Sequence, residues 1–510
     1  MVAEIQRWGM YEVSINGKSD KNPFVDYDIQ GIFRGKNETV KVNGFYDGDG
    51  VYKVRFMPSF EGSYSYEIFG SFSDELFKGE FSVAAPDGNN HGPVRVANTY
   101  HFAYEDGTPY YPVGTTCYVW THQQSDMQAK TLETLKEGYF NKIRFCIFPK
   151  HYDYNFNDPI TYPYAGTPCD SSKITKGNFA QYYAINPENK WDFKRFNPQH
   201  FRLIENRIKD LMDLGIEADL IVMHPYDRWG FSEMDAESDD LYWNYIIARF
   251  SAYRNVWWSF ANEYDLMKKK KLADWERYAD ILCRQDAYNH LRSIHNCFQF
   301  YDYSRPWITH CCIQRQPVDK IVEKTNEWRE RYGKPIVIDE LCYEGNIEHD
   351  WGNISGKEMV RRFWETTLRG GYAGHGETFV HPEDKLWWSH GGELHGESPI
   401  RLKFLHEILC QTPGIGLKFC RTENRTASQE AVLGGGAYRL NYCGVGRPRF
   451  KSFYYDEIHE YEVEVIDTWE MTIEKKGVFK GKFKIELPGK EYMAIRIKSA
   501  SLCRIAHSDN

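Results

Sequence analysis

Asn255-Val-Trp-Trp-Ser-Phe-Ala-Asn-Glu263 decides how this chain is read. The run from Val256 to Ala261 carries no charge, and a short apolar run between polar residues reads as a buried strand. Asn262 and Glu263 follow it at once. Lys334-Pro-Ile-Val-Ile-Asp-Glu340 repeats the pattern and again ends in acid. Strands of a parallel sheet are buried on both faces, so polar residues at their C-terminal ends gather along one rim. Two glutamates distant in sequence are thereby expected at one mouth.

Working outward, strand-like and helix-like segments alternate from about 95 to 411. Eight strands are predicted: Tyr111–Cys117, Phe140–Ile147, Ile216–Met223, Val256–Ala261, His290–His295, Trp307–Cys312, Pro335–Leu341 and Tyr372–Phe379. Helix-period stretches lie between them, among them Phe201 to Met212 and Lys357 to Leu368. A last helix over Ile400–Leu409 closes the series. Eight such repeats fit a (β/α)8 TIM barrel. An open doubly wound sheet is the alternative, but no Gly-rich phosphate loop supports it.

The flanks have a different texture. Residues 1–90 hold short alternating strands, including two around the turn Gly48-Asp49-Gly50, and read as a β-sandwich. Ala85-Pro-Asp-Gly-Asn-Asn-His-Gly-Pro93 is a turn-rich linker. Residues 412–510 return to alternation, as in Tyr461-Glu-Val-Glu-Val-Ile-Asp-Thr-Trp469, and read as a second small sandwich. The expected architecture is multidomain: a central TIM barrel at 95–411 flanked by two small all-β sandwich domains.

Composition narrows the function classes. The 510 residues carry a net charge of −9 with no basic stripe, so no nucleic-acid or anionic-membrane partner is expected. No apolar window is long enough to span a bilayer, and the N-terminus lacks a signal core. The 12 cysteines show no paired spacing, so free thiols and a cytoplasmic location are expected. Aromatics make up 16% of the chain, which suits stacking against sugar rings as well as core packing.

A pair of carboxylates across one gap is the equipment for breaking a glycosidic bond with retention of configuration. Glu263 is expected as the acid/base and Glu340 as the nucleophile. Asp339 competes with Glu340, because strand alternation sends only one of two neighbours inward. Arg144, set inside an apolar run, is placed to keep the nucleophile ionised. Asn262 could donate to a sugar 2-hydroxyl. His224, His295 and His310 lie at or near strand ends; each is a sugar contact or an internally satisfied group. Trp120 and Trp388 are candidate sugar platforms, and His375 and Glu377 could line the pocket near the eighth strand. No His-x-His, His-Glu-x-x-His or Cys-x-x-Cys pattern occurs, so neither a catalytic metal nor another cofactor is expected.

At Asn262, Glu263, Glu340 and Arg144 the chain resembles the clan A glycoside hydrolases. Gly44-Phe-Tyr-Asp-Gly48 and Val54-Arg-Phe-Met-Pro58 extend the likeness to cellulase-like and apiosidase-like barrel proteins of bacteria, which carry a preceding sandwich and, in some, a C-terminal β-domain. The resemblance implies a (β/α)8 barrel and a retaining hydrolase acting on plant-derived oligosaccharides. Apiosidase-like enzymes place an Asp where this chain has Glu263, which favours the broader clan over apiose itself. A transglycosylase or a non-catalytic carbohydrate-binding protein would share the fold.

Overall fold

The computed structural model describes residues 3–152, 154–182, 184–315, 322–382, 385–420, 429–433 and 437–500. At its centre eight parallel strands form one sheet. In chain order they are β1 (Val113–Thr116), β2 (Lys142–Cys146), β3 (Glu217–Met223), β4 (Val256–Ala261), β5 (Arg292–Ser293), β6 (Cys311–Gln314), β7 (Ile336–Glu340) and β8 (Tyr372–His375). The spatial order β5-β4-β3-β2-β1-β8-β7-β6 is that of a barrel. A parallel bridge between His295 and Cys312 joins the two ends and closes it.

Helices follow seven of the eight strands; the connection from β5 to β6 has none. Local chemistry sets their ends. Asn197 accepts from the Gln199 amide at 3.2 Å and Pro198 takes the first helical position, which starts Pro198–Asp213. Asp235 caps Ala236–Phe250 in the same way, accepting from Ser238 at 2.8 Å. Gly333, at φ +62°, ends Thr325–Tyr332 because it takes the left-handed conformation without a Cβ clash.

The bottom of the barrel is plugged. Val94–Ala97, His101–Tyr104 and Pro109–Tyr110 form a small antiparallel sheet. Phe102 from this sheet packs against Trp257, His310 and Tyr372, with ring centroids 5.3, 5.8 and 5.4 Å away. Those residues stand at the N-terminal ends of their strands. Inside the barrel, Lys142 bridges Asp219 at 2.6 Å and Asp339 at 2.9 Å. Such a buried triad persists because each charge has a partner.

The N-terminal domain is a sandwich of a five-stranded and a three-stranded sheet, filled by Phe33, Phe56, Tyr64 and Phe81. Where the sequence reads two strands around one turn, the chain makes three. Thr39–Asn43 lies in the larger sheet, and Phe45–Tyr46 pairs with Val51–Phe56 in the smaller one. Gly44 makes the crossover possible, because a Cβ there would overlap the Lys53 carbonyl. The C-terminal domain has a six-stranded sheet faced by a two-stranded one, with Val463, Ile495, Phe483 and Ile485 between them. It leans on the barrel through Tyr442, stacked 5.3 Å from Trp364.

Candidate active site

A cleft of about 620 Å³ opens at the C-terminal ends of the barrel strands, a size ordinary for a small-molecule site. Glu263 and Glu340 both line it, together with Asn262, Tyr118, Lys150, Tyr226 and Trp388.

Glu340 reaches the cleft through a local irregularity. Along β6 and β7, Cys312 pairs with Val337 and Gln314 with Glu340, so β7 carries one extra residue there. Such a bulge breaks the strict alternation of side chains. Asp339 therefore stays in the barrel interior with Lys142 and Cys312, while Glu340 also turns towards the axis one level higher. The expectation that only one of the two could face inward is corrected: both do, at different depths.

Glu340 sits in a web of donors. Arg144 Nη1 donates to its Oε1 at 3.0 Å, and the Tyr118 hydroxyl donates to the same oxygen. Arg144 Nη2 also holds Asn262 Oδ1 at 2.8 Å, which ties the rims of β2, β4 and β7 together. Asn262 is thus oriented by an arginine, which leaves its amide nitrogen free of that bond.

Glu263 has different company. Its backbone is left-handed, at φ +53°, an uncommon state for a residue with a Cβ and one that collects at functional sites. The Tyr226 hydroxyl donates to its Oε2. Burial, and then the negative charge of Glu340, push its pKa above the usual carboxylate range; Lys150 opposes this in part. The two acids therefore share a cleft but differ in support: Glu340 is paired with a guanidinium and Glu263 is not.

Lys150 and Arg315 are the basic residues that line the cleft, and Lys150 is the deeply buried one. Its Nζ lies 3.3 Å from the centroid of Tyr118, 4.3 Å from Tyr152 and 4.4 Å from Tyr226. Burial lowers its pKa to about 8. The aromatic faces compensate part of its lost hydration. Trp388 continues this aromatic wall, 5.1 Å from both Tyr152 and Trp351.

Other sequence candidates fall elsewhere. His295 is buried below the cleft, with Nε2 3.7 Å from Glu340 Oε1; burial and the neighbouring cations keep it neutral. His224 is also buried and turns to the Phe148 carbonyl at 3.2 Å. His310 is at the floor, packed against Phe102 and Trp257, at the wrong end of the barrel to meet a substrate. Trp120 packs on Phe145 beneath the helix layer and makes no platform, because Phe145 alternates with Arg144 and points away from the axis. His375 stacks on Phe140 at 4.8 Å, and Glu377 accepts amides of the 395–396 loop, so both face outward from the cleft.

Tyr118, Lys150 and Tyr226 are missing from the sequence-based set. Each lies a few residues past a strand end: Thr116-Cys-Tyr118, Cys146-Ile-Phe-Pro-Lys150 and Met223-His-Pro-Tyr226. The rim rule that selects Glu263 applies equally to them.

Comparison with known proteins bears on the family and the fold. A family described as "Apiosidase-like, catalytic domain" matches residues 96–390. "Domain of unknown function (DUF5060)" matches 4–70 and "Domain of unknown function (DUF5605)" matches 427–498. No match was found among curated proteins. A solved structure of a protein from Bacteroides vulgatus ATCC 8482, assigned to the glycoside hydrolases, is 34% identical. It aligns over 98% of this chain and 100% of its own, with a TM-score of 0.89. A family 5 glycoside hydrolase from the same organism shares the fold at 15% identity, with 81% of this chain and 94% of that one aligned and a TM-score of 0.59. With the catalytic-domain match spanning more than half its length, this chain belongs to the apiosidase-like glycoside hydrolases and is a glycosidase.

Proposed function

We propose that the protein is a retaining glycosidase of short plant-derived glycans, with Glu340 as nucleophile and Glu263 as acid/base. The observation that carries this reading is the contrast between the two acids. A nucleophile must be fixed in place, and Arg144 and Tyr118 both hydrogen-bond Glu340 Oε1. A general acid must keep its proton near neutrality, and burial beside a second carboxylate favours that for Glu263. Glu340 attacks the anomeric carbon while Glu263 protonates the leaving oxygen. Glu263 then deprotonates the water that releases the sugar.

The walls suit this chemistry. Trp388 and Tyr152 offer apolar faces to a ring, and Lys150 offers ammonium N–H donors to its oxygens. Asn262, oriented by Arg144, is placed to donate to the 2-hydroxyl, a bond that strengthens in the transition state. A β-glycoside or an α-L-arabinoside is the expected substrate, cut by hydrolysis or passed to a sugar acceptor. The free-thiol reading of the cysteines supports a cytoplasmic site of action on imported oligosaccharides.

The test is a panel of aryl glycosides with wild type and two alanine variants. Glu340→Ala should lose activity by on the order of 10⁴-fold or more. Glu263→Ala should lose ~10²–10⁴-fold on poor leaving groups, and azide should restore turnover as a glycosyl azide of retained configuration. Full activity in either variant would refute the role given to that residue.

A further inference from the structure

Outside the catalytic cleft, β8 and the loops around it bring three ligand-type side chains together. Glu344, His375 and Glu377 are all buried, at 2%, 0% and 1% exposure. One donor atom from each lies within 4.8 Å of the others. None of the three lines the catalytic cleft. We propose that Glu344, His375 and Glu377 hold one divalent cation of the zinc or manganese kind, which fastens the end of β8 to the loop and helix that follow it.

The carboxylates are fixed before any ion arrives. Glu344 accepts from the amides of Glu397 at 2.7 Å and Ser398 at 3.1 Å. Glu377 accepts from His395 and, at 2.9 Å, from Gly396. A carboxylate has lone pairs to spare after two such bonds. The Oε2 atoms turn to one place: a Cβ built on Gly396 would stand 2.5 Å from that of Glu344 and 2.7 Å from that of Glu377. Two buried like charges so close need a proton or a cation to offset them.

His375 is the independent observation. Its Nδ1 lies 3.0 Å from Thr115 Oγ1, and that hydroxyl accepts from Trp387 Nε1 at 2.8 Å. Phe140 stacks on the ring. Nε2, fully buried, has no hydrogen-bond partner among the described residues. An orphan nitrogen in the interior costs on the order of 1–3 kcal/mol. With Nδ1 engaged, Nε2 is the nitrogen left to ligate. Burial keeps the imidazole neutral, which is its metal-binding form. The Thr115 contact matches the way metal-bound histidines are oriented through their other nitrogen. One imidazole with two carboxylates suits zinc or manganese better than calcium or magnesium, which prefer oxygen alone.

The measurement needs no substrate, so it stands or falls apart from the glycosidase reading. Full-length protein, made without an affinity tag or chelator, is analysed for metals by mass spectrometry. About one equivalent of a single divalent ion per chain is expected, with under ~0.1 equivalent in His375→Ala. Thr115→Val, which keeps the side-chain shape, should cut occupancy roughly tenfold by freeing the ring. Zn²⁺ or Mn²⁺ added to EDTA-dialysed wild type should raise the melting temperature by ~2–4 °C or more, and should leave Glu377→Gln unchanged. If His375→Ala does not fold, wild-type content and the Thr115→Val comparison still decide. Wild type with under ~0.1 equivalent and no melting shift with either ion overturns the proposal.

Discussion

Glu263 and Glu340 are one chemical group in two surroundings, and the difference is made by single neighbours. Arg144 and Tyr118 serve Glu340, whereas Glu263 has Tyr226, the Cys297 thiol and the more distant Lys150. The coupling between the acids has a definite sign. Part of the upward shift of Glu263 comes from the charge of Glu340. Glu340→Gln removes that charge and keeps the shape, so Glu263 should release its proton at lower pH in this variant than in wild type. A carbon-13 NMR titration of glutamate side chains reads this directly; a midpoint that rises or stays put would contradict the proposed pairing. At this scale the sequence is informative about identity and silent about partners. Asn262-Glu263 after an apolar run marks a rim acid, but nothing in the run says that a tyrosine from another loop will meet it.

At the scale of elements, the β6–β7 register decides the site. The extra residue in β7 lets Asp339 serve the interior triad and Glu340 serve the rim. That register depends on the close approach of β8. Gly374 has no room for a side chain: a Cβ there would lie 2.6 Å from the Asp339 carbonyl oxygen and 2.9 Å from its Cα. Backbone on both sides cannot yield, so Gly374→Ala must part the two strands. It should cost ~1–3 kcal/mol in a urea titration and lower kcat by displacing Glu340. Gly114→Ala is the control. Gly114 pairs with Gly374 across β1 and β8, but its Cβ would meet the Lys142 side chain at 3.6 Å, an ordinary contact. That variant should stay within about 1 kcal/mol of wild type, as substitutions without a packing conflict do. Equal losses in the two would show that strand spacing is not the cause.

At the scale of the whole molecule, the N-terminal sandwich is bolted to the barrel by buried charge. Arg55 of the sandwich donates to Glu205 at 2.5 Å, and Arg249 reaches Glu205 at 2.9 Å and Asp47 at 2.7 Å. Burial alone would raise the Glu205 pKa, but the two guanidiniums outweigh it and hold it down to about 2. A carboxylate with a depressed folded pKa stabilises the fold above its unfolded value, and that contribution fades as pH falls towards the folded one. Stability should therefore drop between pH ~4.5 and ~2 by roughly 3 kcal/mol from this group. Glu205→Gln should flatten that part of the curve and destabilise the protein at pH 7 by ~3–5 kcal/mol, since two buried cations lose a partner. Thermal melts across pH test both. At the other end of the chain, no disulfide forms among the described cysteines, so packing and polar contacts hold the C-terminal sheet against the barrel. No helix among the described residues is long and apolar enough to cross a membrane.

The sequence by itself determined the periodicities: eight apolar runs separated by helix-forming stretches, flanked by alternating strands. It also determined which strand ends are acidic. Those features are local, because burial on two faces and the side-chain period are written in neighbouring residues. Tertiary structure decided which polar side chains converge. Asp339 and Glu340 divide their tasks through a bulge, and His310 is carried to the floor because it precedes its strand. His375 and Glu377 turn outward to meet Glu344, and Lys150 swings from a loop into a cage of three tyrosines. Convergence of this kind depends on barrel closure, strand register and loop path. These are set by contacts between residues far apart in the chain, and no window of sequence contains them.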